Sequence, residues 1–232
     1  MAGKSLYRNC QIDICDNDIL YLIGVYFGDG WIVKKKNRFY EFGFGTMDLD
    51  FLERVLNIVK KIRGKKPNVL TIKKKNRKDF YCIYFGFKIF CEWLYKESDN
   101  KKQIPKYIKN LNKNKIKYFL AGYFDSDGYV SQRKYNGKTL KSKNMYFTSG
   151  FSTVSPWYKD MINLFQKAGV KIGTSKTRKS FFNNKEHQDR TDVTLYIESL
   201  AKAKLPLSVS RKRKKLEEYL STLSSTSIRE TP

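Results

Sequence analysis

Apolar residues recur in this chain at the period of helices in some stretches and at the period of strands in others. Two apolar stretches with regularly spaced small residues, YLIGVYFGDG (21–30) and FLAGYFDSDG (119–128), predict buried helices that end in Asp-Gly. After the first, WIVKKKNRFYEFGFG alternates as a pair of strands does, and MDLDFLERVLNIVKKIRG predicts a helix that ends at Gly64. VLTIKKKNRK and DFYCIYFGF predict two more strands, and KIFCEWLYKE predicts a second helix.

The same elements follow the second stretch in the same order. YVSQRKY, a turn at Asn136-Gly137 and NMYFTSGFS predict a strand pair, and PWYKDMINLFQKAG predicts a helix that ends at Gly169. VKIGTSKTRKSFF and TDVTLYIES predict two further strands, and a lysine-rich helical segment follows. Since Asp29 and Asp127 are 98 positions apart (127 − 29 = 98), the chain contains an internal repeat. We predict an α+β fold of two pseudo-symmetric αββαββα half-domains with mostly antiparallel sheets.

The domain boundaries follow from this repeat and from local composition. Residues 1–96 form the first predicted half-domain, and residues 118–220 form the second. Between them, residues 97–117 are polar and basic, which is typical of a linker. The segment 221–232 is polar and predicts a disordered tail.

The charge of the chain points to its partner. Its 232 residues include 47 Lys+Arg against 22 Asp+Glu, a net charge of +25, which predicts a polyanion and foremost a nucleic acid. No stretch approaches the roughly 18 to 20 apolar residues of a membrane span, and the N-terminus lacks a signal-peptide core. We therefore expect an intracellular protein, with organelle, nucleus and prokaryotic cytoplasm not distinguished.

Cysteine and histidine usage argues against a structural zinc site. Cys10, Cys15, Cys82 and Cys91 show no CxxC spacing, and His187 is the single histidine. Reduced, structural thiols are the simpler interpretation of these cysteines.

Small residues on the two apolar helices predict how the halves meet. Gly24 and Gly28 are spaced i and i+4, and Gly122 and Ser126 repeat that spacing, so each helix has one face of small residues. Glycine disfavours helix by roughly 1 kcal/mol relative to alanine, and close packing of the two faces would compensate. The alternative, a core helix confined to its own half, does not explain why both stretches end in Asp-Gly.

Packing of these helices would bring Asp29 and Asp127 together at their C-terminal ends. A carboxylate is unfavourable there, because it faces the negative end of the helix dipole, unless it binds a cation. Oxygen ligands with few His or Cys suit Mg²⁺ or Mn²⁺, and a pair of such ions can promote phosphodiester hydrolysis. The chemistry alone therefore predicts a metal-dependent nuclease.

The two decapeptides resemble the paired motifs of the monomeric, two-repeat LAGLIDADG homing endonucleases. This resemblance implies that the motif helices pack at a central interface, beneath two saddle-shaped antiparallel sheets that lie along the DNA major groove. It implies double-strand cleavage across the minor groove at a long site, with Mg²⁺ as cofactor and Mn²⁺ as a substitute. The implied catalytic acids and metal ligands are Asp29 and Asp127, and the carbonyls of Gly28 and Ser126 would join the metal shell. Asp125 occupies an earlier acid position, where the first copy has Phe27, and is interpreted as structural.

The chain departs from the family at the basic or amide residues that lie near the scissile phosphates. The strand that usually carries one reads EFGFG in the first copy, with Gly43 or Gly45 in its place, and TSGFS in the second. Lys109 and Arg211, each shortly after an Ile-Pro or Leu-Pro pair, are the proposed substitutes.

Basic residues recur in all four predicted strand pairs or their turns, and this recurrence predicts DNA contacts, although a lysine run is usually only a solvated face. The run RKRKK (211–215) resembles a nuclear-localisation pattern, but a helix end that faces nucleic acid fits the context better. The predicted DNA-binding residues are Lys34, Lys35, Lys36, Arg38, Lys73, Lys74, Lys75, Arg77, Lys78, Arg133, Lys134, Lys176, Arg178 and Lys179.

We therefore expect a monomeric, site-specific endonuclease that acts on double-stranded DNA. HNH and His-Cys-box chemistries need several histidines, which this chain does not have. The alternatives are an intron-encoded RNA maturase, which would bind intron RNA, and a non-cleaving DNA-binding regulator on the same scaffold. Retention of both Asp29 and Asp127 favours cleavage. The absence of a protein-splicing segment favours a free-standing intron-encoded enzyme over an intein product.

Overall fold

The computed structural model describes residues 13–35, 39–73, 75–132, 147–182 and 185–227. The first repeat begins with a helix and a strand pair. A second helix, a second strand pair and a third helix follow. Its elements are α1 (Asn17–Phe27), β1 (Gly30–Lys35), β2 (Phe39–Thr46), α2 (Leu49–Arg63), β3 (Val69–Ile72), β4 (Phe80–Gly86) and α3 (Lys88–Glu97).

The second repeat has the same order after a short connecting helix. Its elements are α4 (Lys106–Asn110), α5 (Lys113–Asp127), β5 (Gly128–Gln132), β6 (Phe147–Thr153), α6 (Tyr158–Lys167), β7 (Ile172–Phe182), β8 (Lys185–Leu195), α7 (Ile197–Ala203) and α8 (Ser210–Ser227). The predicted turn at Asn136-Gly137 lies outside the described residues.

Each repeat contains one four-stranded antiparallel sheet. The strand order is β1-β2-β4-β3 in the first (sheet 1) and β5-β6-β8-β7 in the second (sheet 2), so the two sheets have the same topology. The predicted α+β class with two pseudo-symmetric halves is confirmed.

Aromatic side chains cover the inner face of each sheet. In sheet 1, Phe42 stacks on Phe85 with ring centroids 5.0 Å apart, and in the second repeat Phe151 stacks on Phe165 of α6 at 5.5 Å. These rings are buried and belong to one continuous core that includes both motif helices. Burial of so much aromatic surface is the main force that holds each sheet on its helices.

Local signals set the limits of the helices. Asp16 caps α1 by accepting hydrogen bonds from the backbone N–H groups of Asp18 and Ile19 at 2.8 and 3.3 Å. Asn112 caps α5 in the same way. Gly64 ends α2 with φ 76°, a left-handed conformation that favours glycine, as predicted from its place after the apolar period.

The C-terminal segment differs from the prediction. Helix α8 continues to Ser227, so residues 221–227 are helical, and the expectation of disorder is wrong there. Residues 228–232 lie outside the described part of the chain. The segment expected to be a linker contains α4 and the first residues of α5, and the domain boundaries otherwise remain predictions.

The described residues also bear on the expectations about membrane spans and about free thiols. None of the described helices is long and apolar enough to cross a bilayer. Cys15, Cys82 and Cys91 are free thiols, and the latter two are buried.

Candidate active site

The two motif helices pack backbone against backbone at the small residues. A Cβ atom placed on Gly24 of α1 would lie 2.0 Å from the carbonyl oxygen of Phe119 in α5. One placed on Gly122 of α5 would lie 2.1 Å from the carbonyl oxygen of Tyr21 in α1. Real Cβ atoms do not approach backbone so closely, so any larger residue would separate the helices.

The same approach continues toward the C-terminal ends of the helices. A Cβ on Gly28 would lie 2.2 Å from the Cβ of Ser126, so this predicted pair also meets across the interface. Since Gly28 and Ser126 each precede an aspartate, the packing carries Asp29 and Asp127 to the same end of the helix pair.

The two aspartates are electrostatically coupled, with Asp29 exposed and Asp127 half-buried. Loss of hydration and the negative charge of Asp29 together raise the pKa of Asp127 to about 7, although Lys101 and Lys212 act in the opposite direction. Loss of hydration likewise raises the pKa of Asp29, against the lowering effect of Lys212 and Lys101. Four groups, two acids and two lysines, therefore form the centre of the candidate site.

Lys101 follows α3 and reaches the end of α1. Its Nζ donates to the carbonyl oxygens of Gly28 and Gly30, both at 2.8 Å, and these oxygens flank Asp29. Its own carbonyl accepts a hydrogen bond from the indole Nε1 of Trp157 at 2.7 Å, which fastens this segment to the second repeat. Burial lowers the pKa of Lys101 to about 8, although the charges of Asp127 and Asp29 oppose that change.

Lys212, in the first turn of α8, reaches the last turn of α5. Its Nζ donates to the carbonyl oxygens of Phe124 and Asp125 at 2.6 and 2.7 Å, and the residue is only 1% exposed. Burial lowers its pKa to about 8, and the charge of Asp125 acts the other way. Each helix of the central pair thus has an ammonium group on a carbonyl group at its C-terminal end, where the helix dipole favours a cation.

The two basic residues that the sequence suggested for this place, Lys109 and Arg211, pair with other carboxylates. Lys109 forms an ion pair with Asp160 at 2.6 Å, and Arg211 forms a two-pronged pair with Asp48. Within the part of the chain that the structure describes, neither Lys109 nor Arg211 contacts Asp29 or Asp127. The sequence signal for Lys212 is weak. Adding the repeat offset of 98 to 101 gives position 199 (101 + 98 = 199), which holds Ser199 and lies 13 residues before Lys212.

Asp125 is a structural residue, as interpreted. It is 2% exposed and accepts hydrogen bonds from the hydroxyl of Tyr21 at 2.7 Å and from the backbone N–H groups of Ser208 and Val209 at 2.7 and 3.2 Å. These bonds fasten the segment before α8 to both motif helices. Asp125 therefore positions the helix that carries Lys212.

The oxygen atoms at the site fit a hard divalent cation. Within the described residues no group of three or more His, Cys, Asp or Glu could hold a metal, so a cation depends on Asp29, Asp127 and non-carboxylate oxygens. The repulsion that helps to raise the pKa of Asp127 is what a divalent cation relieves. The Gly28 carbonyl accepts from Lys101, and the Ser126 hydroxyl donates to Gly122 at 3.1 Å within its own helix. The metal-ligand roles of Gly28 and Ser126 remain predictions.

Aromatic rings occupy the places where a polar strand residue was expected. A Cβ on Gly43 would lie 2.2 Å from Nε1 of Trp31, and one on Gly45 would lie 2.6 Å from the ring of Phe80. The glycines are therefore required to seat these rings on the outer face of sheet 1. In sheet 2, a Cβ on Gly150 would lie 2.1 Å from the carbonyl oxygen of Val193 in the neighbouring strand and 2.9 Å from the hydroxyl of Tyr129.

The predicted DNA-binding residues lie on the strands and turns, away from the central lysines. The exposed ones are Lys34, Lys73, Lys75, Arg77, Lys78, Lys176, Arg178 and Lys179. Arg178 also pairs with Asp192 at 2.7 Å. The side chain of Lys35 and all of Lys36, Arg38, Lys74, Arg133 and Lys134 lie outside the described structure.

Sequence comparisons find two archaeal relatives of low identity. No protein-family model matches the chain. An uncharacterized protein of Methanocaldococcus jannaschii is 27% identical over 209 residues, which cover 89% of this chain and 72% of that protein. A probable translation initiation factor of the same archaeon is 25% identical over 173 residues, which cover 71% of this chain but only 13% of the factor.

Structural comparisons are more informative. The homing endonuclease I-WcaI bound to its DNA recognition sequence has a TM-score of 0.57 at 18% identity, over 93% of this chain and 94% of that chain. I-DmoI in complex with DNA and Ca has a TM-score of 0.51 at 12% identity, over 82% and 88%, and another I-DmoI complex contains DNA and Mn. The LAGLIDADG meganuclease I-AabMI bound to uncleaved DNA has a TM-score of 0.50 at 16% identity, over 91% and 93%.

These identities, all below 25%, make the likeness one of fold, and at that level the resemblance inferred from the two decapeptides is confirmed. The chain has the fold of the monomeric, two-repeat LAGLIDADG homing endonucleases.

Proposed function

We propose that the chain is a site-specific DNA endonuclease that hydrolyses one phosphodiester bond in each strand, across the minor groove, at a long recognition site. The observation that carries this proposal is the meeting of Asp29 and Asp127 at the ends of two closely packed helices, beside the partly buried Lys101 and the buried Lys212. Two equivalent half-sites about a pseudo-twofold axis match the antiparallel strands of a duplex. The chain would act as a monomer, because both halves are present in it.

The structural neighbours support both the substrate class and the need for a divalent ion. I-WcaI and I-AabMI are bound to DNA, and the I-DmoI complexes contain DNA with Ca or Mn. Double-stranded DNA is therefore the proposed partner, and an intracellular location is proposed with it. Mg²⁺ is the proposed cofactor and Mn²⁺ a substitute, since carboxylate oxygens suit both ions.

Asp29 and Asp127 would hold the divalent ions, with the carbonyls of Gly28 and Ser126 as further proposed ligands. When bound, such ions supply an activated water and charge stabilisation for the departing oxygen of an in-line displacement. The task of the protein is to hold both carboxylates ionised and immobile at one point. The close packing at Gly24 and Gly122 gives that rigidity, because neither helix can shift without a backbone clash.

Lys101 and Lys212 would act on the phosphates directly. Each is fixed by two carbonyl oxygens, so each ammonium group is oriented before DNA arrives. A pKa of about 8 lets either lysine stabilise charge on a phosphate oxygen or transfer a proton near neutral pH. The placement of one lysine at each motif helix assigns one lysine to each strand.

The basic strand residues would provide the long DNA interface. Phosphate contacts from exposed lysines give affinity, and side chains on the outer faces of the sheets read the bases. The proposed DNA-contact set is Lys34, Lys35, Lys36, Arg38, Lys73, Lys74, Lys75, Arg77, Lys78, Arg133, Lys134, Lys176, Arg178 and Lys179.

The decisive experiment replaces each acid by its neutral isostere. The target site is first selected from a randomised duplex library, and cleavage and binding are then measured for Asp29→Asn, Asp127→Asn and the double variant, with Mg²⁺ and with chelator. We expect double-strand cleavage to disappear while binding persists, because the acids lie at the centre of a long basic interface. The control is Asp99→Asn, which removes only an exposed partner of Lys102.

Full cleavage by the double variant would place the catalytic centre elsewhere. A wild-type protein that binds its selected site tightly and never cuts it would instead favour the RNA maturase or the DNA-binding regulator.

A further inference from the structure

The outer faces of the two sheets differ in chemistry at equivalent positions. By outer face we mean the face of each sheet that points away from its helices. On sheet 1 the inward residues of β4 are Ile83 and Phe85, both buried, so Cys82 and Tyr84 point outward. On sheet 2 the inward residues of β8 are Val193 and Leu195, so Asp192 and Thr194 point outward.

The strand registers allow a row-by-row comparison. In sheet 1, Tyr84 pairs with Gly43, and in sheet 2 the matching partner of Gly150 is Thr194. The next row has Leu70 beside Cys82 in sheet 1, against Lys176 beside Asp192 in sheet 2.

The contrast is largest in the row where β3 pairs with the start of β4 in sheet 1, and in the matching row of β7 and β8 in sheet 2. Ile72 pairs with Phe80 in sheet 1, and the same place in sheet 2 holds Arg178 and Arg190. At the other edge, Val33 of β1 corresponds to Ser131 of β5, since 131 − 33 equals the repeat offset of 98. Apolar side chains in one half thus stand where hydroxyl and charged groups stand in the other.

The apolar residues of sheet 1 are exposed to solvent, which needs an explanation. Val33 is 38% exposed, Leu70 56%, Ile72 40% and Tyr84 47%, and all four lie on the outer face. We call this set the apolar face. Contiguous exposed apolar residues on a soluble domain usually mark a binding surface.

Charge around the apolar face narrows the choice of partner. The exposed cations Lys34, Lys73, Lys75, Arg77 and Lys78 stand at the ends and turns of the same strands. The occupant must therefore present apolar groups between rows of negative charge. The major groove of DNA does so where thymine C5-methyl groups lie between the phosphate backbones.

The outer face of sheet 2 carries groups that suit recognition of bases by hydrogen bonds. Asp192 holds Arg178 at 2.7 Å and lies 3.5 Å from Arg190, and Ser152 donates a hydrogen bond to the same carboxylate. The hydroxyls of Ser131 and Thr148 are 2.8 Å apart. Oriented arginines and hydroxyls recognise base edges by hydrogen bonds, above all guanine by arginine.

We propose that the apolar face of sheet 1 reads thymine methyl groups in an A·T-rich half-site, whereas sheet 2 reads its half-site by hydrogen bonds. This inference rests on the proposed function, because it assumes that the outer faces enter the DNA major groove. It adds the chemical class of the sequence that the first repeat recognises.

The test replaces thymine by deoxyuridine, which removes the methyl group and leaves base pairing intact. The half-site under sheet 1 is identified by a photo-crosslinking residue in place of Lys75. Affinity is then compared for the selected duplex with deoxyuridine in one half-site or in the other. We expect about fourfold weaker binding for each buried methyl lost under sheet 1, and little change under sheet 2.

Protein variants provide a second measurement. Ile72→Thr keeps the branched shape of an exposed side chain and should bring the thymine-to-deoxyuridine affinity ratio in the first half-site toward one. Thr148→Val in sheet 2 is the matched control and should leave that ratio unchanged.

The outcomes separate the two proposals. Selection of no duplex at all overturns the proposed function, and this inference with it. A selected site whose first half lacks thymines, or in which deoxyuridine acts equally in both halves, overturns the inference and leaves the endonuclease intact.

Discussion

Lys101 and Lys212 each donate hydrogen bonds to carbonyl groups at the C-terminal end of one of the two motif helices. Lys101 donates to Gly28 and Gly30 after α1, and Lys212 donates to Phe124 and Asp125 in the last turn of α5. Lys212 is buried and Lys101 is partly buried, and loss of hydration lowers the pKa of each to about 8. The charges of both lysines act on Asp29 and Asp127, and the proposed site contains all four groups.

Replacing either lysine should impair cleavage of one strand. Lys101→Met and Lys212→Met each remove a preoriented cation, and the loss of one such group typically costs about 10² to 10³ in rate. Single-turnover cleavage of a duplex labelled on each strand in turn measures the effect. The matched control is Lys109→Met, which removes only the ion pair with Asp160. Equal losses in the Lys101 and Lys109 variants would contradict the assignment.

Lys212 should also make stability depend on pH. Its folded pKa is about 8, and its ordinary value is 10.5, so between these values the unfolded chain binds more protons than the folded one. The contribution of Lys212 to the free energy of unfolding therefore rises with pH across that window and is least favourable below it.

As pH passes from below to above this window, we expect the free energy of unfolding of wild type to rise by about 3 kcal/mol relative to that of Lys212→Met. Urea unfolding of both proteins measures the difference. Tyrosines and cysteines titrate in the same pH range, but they are common to both proteins, so their effect drops out of the difference. Lys214→Met, at an exposed position, serves as the control and should follow wild type. A constant difference between wild type and Lys212→Met would refute the buried, charge-disfavouring environment.

The helix interface should not tolerate a single methyl group. Alanine favours helix over glycine by about 1 kcal/mol, but a Cβ at Gly24 would lie 2.0 Å from a backbone oxygen that cannot rotate away. We expect Gly24→Ala to destabilise the protein by about 1 to 3 kcal/mol and to reduce cleavage more than DNA binding.

Thermal unfolding and cleavage assays test this expectation. The control is Gly173→Ala in β7, where the nearest atoms to an added Cβ are at 3.5 Å, an ordinary contact distance. A Gly24→Ala protein with wild-type melting temperature and rate would show that the two helices can separate without consequence.

DNA binding should depend strongly on salt. If the basic strands neutralise about 6 to 10 phosphates, affinity should fall by roughly 10³ to 10⁵ between 50 and 200 mM salt. Removing two exposed cations in Lys75→Ala, Lys78→Ala should reduce the slope of log Kd against log salt by about 2. Titrations at several salt concentrations give both slopes, and a weak salt dependence in wild type would exclude an extended phosphate interface.

The sequence by itself determined the repeat, the central helix pair and its acids. These features have short-range signals: the i, i+4 spacing of Gly24 and Gly28, the Asp-Gly ending, and the alternation of strands that follows each motif. A helix face and a strand face are set by backbone periods of a few residues, so a linear pattern contains them. The strand order within each sheet repeats because the pattern itself repeats.

Only the tertiary structure decided which of the many cations lie beside Asp29 and Asp127. Lys101 is 73 residues from the carbonyl group of Gly28 that it contacts, and Asp125 is 83 residues from Ser208. Among 47 Lys and Arg, nothing local distinguishes a lysine that will be buried from one that stays in water. Burial depends on where α3 and α7 end and how the segments after them cross the helix pair, and those positions are set by packing between elements distant in sequence.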